Sequence, residues 1–192
     1  MRIIAGTFRS RPLQAPAGLA TRPSSDRLRE TLFNVLAPRI EGAHFLDLYA
    51  GSGAVGLEAL SRGAEHVVFV ERAPAALRAL QSNLARLRLT SGFSIQSGSL
   101  GAYIRRALKE SKQFDLVFLD PPYDQTKEYS TTLGLLGSAA ANLLSVGAVV
   151  IAEHRRKEPL EDRFGLLART RLLEQGDAGL SFYSILERTA TG

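Results

Sequence analysis

The chain has 192 residues, 45% of them hydrophobic, a formal net charge of +5 and no cysteine. That length suits one domain with an ordinary core, and the missing thiols exclude disulfides, thiolate metal sites and a cysteine nucleophile. No apolar run approaches the ~18 residues of a membrane span and the first residues lack the apolar core of a signal peptide, so a soluble, cytoplasmic protein is expected.

The charge is unevenly placed. Residues 1–29 hold Arg2, Arg9, Arg11, Arg22, Arg27 and Arg29 against Asp26 alone, which is the whole excess; the remaining residues balance, 18 basic against 18 acidic. A basic arm on a neutral body is the footprint of a polyanion-binding extension, and arginine suits bidentate phosphate contacts.

Residues 2–14 alternate loosely around Gly6-Thr7 and read as a small hairpin, followed by turn residues Pro12, Pro16 and Gly18. The arm, residues 1–24, is an extension rather than a domain; residues 25–192 form the domain. Cap candidates over Thr21–Asp26 open a helix in which Leu28, Leu32, Phe33 and Leu36 recur at helical spacing, up to a stop at Pro38. Arg22, Arg27 and Arg29 crowd the start of that helix, where positive charge is unfavourable unless an oxyanion relieves it.

From His44 the pattern is strand and helix in alternation: strands over 44–49, 66–71, 93–97, 114–120 and 147–153, with helices over 53–62, 74–88, 100–110 and 129–143. A short helix near 159–163 and two closing antiparallel runs, 165–174 and 180–187, complete it. The expectation is an α/β fold with a doubly wound, mostly parallel, seven-stranded Rossmann-like sheet.

Phe45–Gly56 is a strand, a glycine turn and a helix start. Gly51 permits the turn, Gly53 lets backbone approach a ligand and Gly56 allows close helix–strand packing. Glu71 ends the next strand, placed to take a ribose diol. This spacing alone fits a dinucleotide equally well. Asp47, four residues before Gly51, favours a cationic ligand over a pyrophosphate. S-adenosyl-L-methionine carries an ammonium, a ribose diol and a sulfonium methyl, which matches these groups.

The apolar strand Phe114–Leu119 delivers Asp120-Pro121-Pro122-Tyr123 to its C-terminal end, where ligands of open α/β sheets bind. The prolines stiffen the segment and carry no N–H, so the Asp120 carboxylate and a main-chain carbonyl are paired acceptors for an exocyclic amine. Tyr123 is placed to stack on the ring that bears it. His44, His66 and His154 lack ligand spacing, and no metal is expected.

The glycine motif at 47–56, Glu71 and Asp120–Tyr123 resemble class I S-adenosylmethionine-dependent methyltransferases acting on exocyclic amines. Arg2–Gly6 and Thr21–Asn34 further resemble the RsmD family of bacterial 16S ribosomal RNA guanine-N2 methyltransferases, over nearly the whole chain. The resemblance implies cofactor contacts from Asp47, Tyr49, Ala50, Gly51, Ser52, Gly53, Glu71 and Arg72, and from Ser99 and Leu100 after the third strand. It implies Asp120, Pro121, Pro122 and Tyr123 at the target base, and ribosomal RNA, or a partly assembled small subunit, on Arg2, Arg9, Arg11, Arg22, Arg27 and Arg29. The enzyme is expected to act as a monomer. Ser99 departs from the family pattern, standing where relatives commonly place an Asp against the adenine amine. A DNA amine methyltransferase could use the same pocket, and an RNA-binding assembly factor without activity could keep the fold.

Overall fold

The computed structural model describes residues 1–16, 26–122 and 125–186. Its element order is α1 (Asp26–Ile40), β1 (His44–Leu48), α2 (Ala54–Ser61), β2 (His66–Glu71), α3 (Pro74–Arg86), β3 (Phe93–Ser97), α4 (Leu100–Lys109) and β4 (Phe114–Leu119). Then follow α5 (Lys127–Leu136), a 3-10 turn (Ala141–Leu143), β5 (Leu144–Arg155), β6 (Arg163–Phe164), β7 (Leu167–Gln175) and β8 (Ala178–Ile185). The strands form one sheet in the order β3-β2-β1-β4-β5-β8-β7-β6, parallel through β5 and antiparallel beyond it.

Alternation along the central strands sorts side chains between two apolar layers. Phe45 of β1 and Leu116 and Phe118 of β4 pack with α1, α2 and α3. Leu46, Leu48, Val117 and Leu119 face the opposite way, against α4 and α5. Both faces being covered explains why these strands read as near-continuous apolar runs. Each fully buried Leu or Phe contributes about 1.5–3 kcal/mol by leaving water. The strand order reverses between β1 and β4, so a crevice opens at their C-terminal ends.

The observed sheet has eight strands rather than seven, because the two-residue β6 adds an edge to β7. No helix forms near 159–163; there the chain turns directly into β6. Pro38 does not stop α1, which runs on to Ile40. Ile40 is buried in the core, and that burial holds the last turn in place of the hydrogen bond proline cannot donate. Helix α5 ends at Leu136, and the polypeptide continues as a 3-10 turn rather than one helix to 143.

Residues 2–14 fold back on themselves as a short hairpin: Arg2 bridges Pro12, the Ile3 N–H donates to the Arg11 carbonyl (3.0 Å) and the Leu13 N–H to the Met1 carbonyl (3.1 Å). What docks it is α2. The buried Glu58 carboxylate accepts the N–H groups of Ile4 (2.8 Å) and Ala5 (3.0 Å) and pairs with Arg62 (2.7 Å) and Arg29 (3.8 Å). Ser61 Oγ donates to the Ala5 carbonyl and accepts the Phe8 N–H. Gly6 is required here: its φ is +81°, and a Cβ would stand 1.7 Å from the Ser61 carbonyl oxygen. Among the described residues, no helix is long and apolar enough to cross a membrane.

Candidate active site

The crevice is a cavity of about 810 Å³ that gathers both halves of the expected site. Asp47, Tyr49, Ala50, Gly51, Ser52, Glu71, Arg72, Ser99 and Leu100 line one part, and Asp120, Pro121 and Pro122 the other. Gly53 lies outside this lining. Its N–H closes the turn onto Ala50, its φ is +80°, and a Cβ would meet Leu80 at 2.4 Å, so glycine is demanded by packing. Tyr123 lies outside the described residues.

Asp47 sits at β1's end, buried beside Phe118 of β4 in the register. It accepts the Gly56 N–H at 2.9 Å, satisfying a first-turn donor of α2 that no side chain at Gly53 can reach. Desolvation pushes its carboxyl up to about 7, with the Glu71 charge adding to the rise and the Gly56 bond opposing it. A cation entering the cavity would stabilise its ionised form.

Glu71 is a brace before it is a ligand. One oxygen accepts the Gly51 N–H (2.8 Å), while the other accepts those of Arg72 (2.7 Å) and Ala73 (2.8 Å). A carboxylate has about four acceptor sites, so capacity for a diol hydroxyl remains. Tyr49 takes up φ +62°, unusual for a bulky residue. Its hydroxyl bonds Glu128 (2.8 Å) and Thr132 (2.9 Å) on α5, so the ring ties the glycine turn to the helix following the Asp-Pro-Pro segment. Arg72 reaches Gln125 at 3.1 Å and joins the same two walls nearer solvent. Ser99 is exposed and caps α4, accepting the Ala102 N–H at 3.4 Å.

Asp120 follows the last β4 residue. Burial drives its carboxyl well above the ordinary carboxylate range, and the nearby charges of Glu153 and Asp47 push the same way. Pro121 is buried and Pro122 exposed, with the Pro122 carbonyl accepting the Gln125 N–H at 2.8 Å. One of the two acceptor sites of the Pro122 carbonyl is thereby taken.

The cavity also uses residues that the sequence did not single out. Met1, Ala15 and Pro16 of the arm wall it, as do Gln125, Glu128 and Arg155. Arg155 follows the rule that led to Glu71 and Asp120, standing at a parallel strand's C-terminal end. The arm residues carried no such signal, because their place depends on Glu58 and Asn83 contacts across more than 50 residues of sequence.

Against known proteins, the family model described as conserved hypothetical protein 95 matches residues 1–184. YlbH of Bacillus subtilis (strain 168), provisionally named an rRNA methyltransferase, is 38% identical over 95% of this chain and 98% of its own. Ribosomal RNA small subunit methyltransferase D of Haemophilus influenzae is 36% identical over 83% of this chain and 81% of its own. The chain belongs to the RsmD family. Among solved structures, yhhF of Escherichia coli, provisionally named a methyltransferase, superposes with a TM-score of 0.80 at 34% identity, covering 95% of this chain and 96% of its own.

Of the RsmD signature read from the sequence, Arg2–Gly6 is the docked arm, whereas residues 21–25, with Arg22, lie outside the described residues. Arg2, Arg9, Arg11 and Arg27 are exposed. Arg29 is not an RNA contact. Its side chain is wholly buried, hydrogen-bonded to the Arg2 carbonyl and Asp26 and paired with Glu58, because α1 turns it inward under the arm. Of the cations expected to crowd the start of α1, Arg29 is compensated by Asp26 and Glu58 rather than by an oxyanion ligand. His154 is buried and bonded to Ser181 at 2.9 Å, while His66 contacts Ser94 and His44 faces Glu65.

Proposed function

We propose that the chain transfers a methyl group from S-adenosyl-L-methionine to the exocyclic N2 amine of a guanine in small-subunit ribosomal RNA. The observation that carries this reading is the continuity of the cavity from the Gly51 turn and Glu71 to Asp120-Pro121-Pro122. The residues present fit the cofactor: a glycine turn beside a carboxylate with spare acceptor capacity suits its ribose, and buried Asp47 suits its positive charge. The names of the relatives, ribosomal RNA small subunit methyltransferase D among them, support the RNA class.

The cofactor supplies an electrophilic methyl on a sulfonium, and the protein supplies position. Asp120 in its ionised form, which the positive charge of the cofactor would favour against the burial that promotes protonation, and the Pro121 carbonyl accept the two amine hydrogens, which aims the nitrogen lone pair at the methyl carbon. As the N–C bond forms and the C–S bond breaks, sulfur keeps the electron pair. Nitrogen then sheds one proton, for which the Asp120 carboxylate is the nearest base. The base must leave its stack to enter, at a cost of a few kcal/mol. Exposed Arg2, Arg9, Arg11 and Arg27 hold the flanking phosphates, and Tyr123 stacks on the base.

The test is transfer of labelled methyl from S-adenosyl-L-methionine into purified ribosomal RNA, small subunits and genomic DNA, followed by nucleoside analysis. Label in N2-methylguanosine from RNA or subunits is expected. Label in DNA, or in an adenine or cytosine amine, would overturn the substrate assignment, and RNA binding without transfer would make this an assembly factor.

A further inference from the structure

Asn83 stands outside the cavity on α3 and is wholly buried, yet its one carboxamide serves two segments that the reaction must bring together. Its Oδ1 accepts the Gln14 N–H at 2.7 Å, and its Nδ2 donates to the Gln14 carbonyl at 3.0 Å and to the Ser52 carbonyl at 3.0 Å. Ser52 belongs to the glycine turn, and Gln14 directly precedes Ala15 and Pro16, which wall the same cavity. A second contact, from Ser82 Oγ to Gln14 Oε1 at 3.1 Å, repeats the tie one residue earlier on the helix. The arm that bears Arg9 and Arg11 is thus fastened at its far end to the turn expected to hold the cofactor.

We propose that Asn83 is a positioning residue that couples the two ligands, so that RNA seated on the arm and cofactor seated on the glycine turn tighten each other's binding. The inference rests on the reading that the arm takes RNA and the turn takes S-adenosylmethionine. The two states are the arm docked at Gln14 and the arm released from it. Only the docked state offers the cofactor its Ala15–Pro16 wall, and only the docked state holds the arm's arginines in fixed register with the base pocket. A ligand that selects the docked state relieves the second of that cost, and the effect is reciprocal. It follows that the arm belongs to the cofactor site as well as to the RNA path.

The test measures the affinity of S-adenosyl-L-homocysteine, which cannot react, with and without a small-subunit ribosomal RNA transcript. In the wild type the RNA should tighten that affinity at least about fivefold, the lower end of ordinary coupling. In Asn83→Ala the ratio should fall to one. Gln14→Pro deletes the N–H that Oδ1 accepts and the side chain that Ser82 contacts but leaves the Ser52 bond in place, so it should also bring the ratio to one in a protein that still melts cooperatively, with the affinity without RNA lowered as the Ala15–Pro16 wall is released. A wild-type ratio of one, or a ratio retained in Gln14→Pro, would overturn the proposal. Failure of the functional reading is seen separately, as a wild-type enzyme that methylates no ribosomal RNA.

Discussion

The Glu71 carboxylate accepts the Gly51 N–H at 2.8 Å, so the residue expected to bind a ribose also holds the turn that cradles it. Glu71→Ala removes both functions. Hydrogen bonds to a charged group are worth about 1.5–3 kcal/mol, so S-adenosylmethionine affinity should drop roughly 10–150-fold by calorimetry, with RNA affinity measured without cofactor nearly unchanged. Glu71→Gln keeps an acceptor for Gly51 and should lose less. Equal losses would show that the charge, not the brace, dominates.

Asp47 makes the ligand-free protein pH-sensitive. Its carboxyl is raised from 3.8 to about 7 in the folded state, so between those values the fold keeps a proton that the unfolded chain releases. The contribution is present at low pH and is lost as pH rises toward 7. A cationic cofactor prefers the ionised form, so its affinity should climb over the upper part of the same window. Asp47→Asn, whose amide oxygen can still accept the Gly56 N–H, should flatten both profiles. Chemical denaturation and cofactor titration from pH 5 to 8 check this.

Asp120→Ala should lower turnover about 10²–10⁴-fold, the usual contribution of a positioned acid–base group. Cofactor affinity should change little, since the proposed mechanism puts Asp120 against the base and not against the cofactor. Parallel loss of cofactor binding and turnover would move Asp120 out of the base site.

Glu58 is the anchor of the arm. Glu58→Ala leaves Arg29 buried without that carboxylate and strips the acceptor from the Ile4 and Ala5 N–H groups. Breaking a buried pair from one side costs about 3–5 kcal/mol, read as a lower midpoint in urea. Arm deletion is a poor test of RNA binding for the same reason, because it would also remove the core residues Ile3 and Leu13 and uncover the apolar side chains they pack against. Charge reversal of the exposed Arg9 and Arg11 to Glu is the cleaner one: methylation should be lost with the melting temperature kept.

The parts of the fold visible in the sequence are those set by local pattern. Strand β2 ends where its apolar run ends, β3 follows the apolar–polar alternation of Phe93–Ser97, and the turn at Gly51–Gly53 forms where the glycines require it. Pro38 misled because propensity alone does not weigh the burial of Ile40 one turn end later. Residues 159–163 read as a short helix in sequence, but the chain there runs into the edge strand β6, which pairing with β7 holds extended. Arg29 misled most: in sequence it is one more cation near the basic arm, and its contacts with the Arg2 carbonyl, Asp26 and, from α2, Glu58 reveal that it points inward. The site's strand-end acids were legible because a parallel sheet delivers them to one edge; its arm-side wall was not, because long-range hydrogen bonds leave no periodic trace.

The reversal of strand order between β1 and β4 has a consequence for how the protein is made. The glycine turn, Glu71 and Asn83 all precede β3's end at Ser97, whereas Asp120, Arg155 and their strands come later in the chain. Synthesis therefore delivers the cofactor half first, with β1 exposing an unpaired edge until β4 arrives some 70 residues behind it. Long-range parallel pairings of this kind form slowly. During that interval an early-bound cofactor would rest on a surface with no base pocket beside it, and the newly made enzyme gains its capacity to modify RNA only when the seam closes.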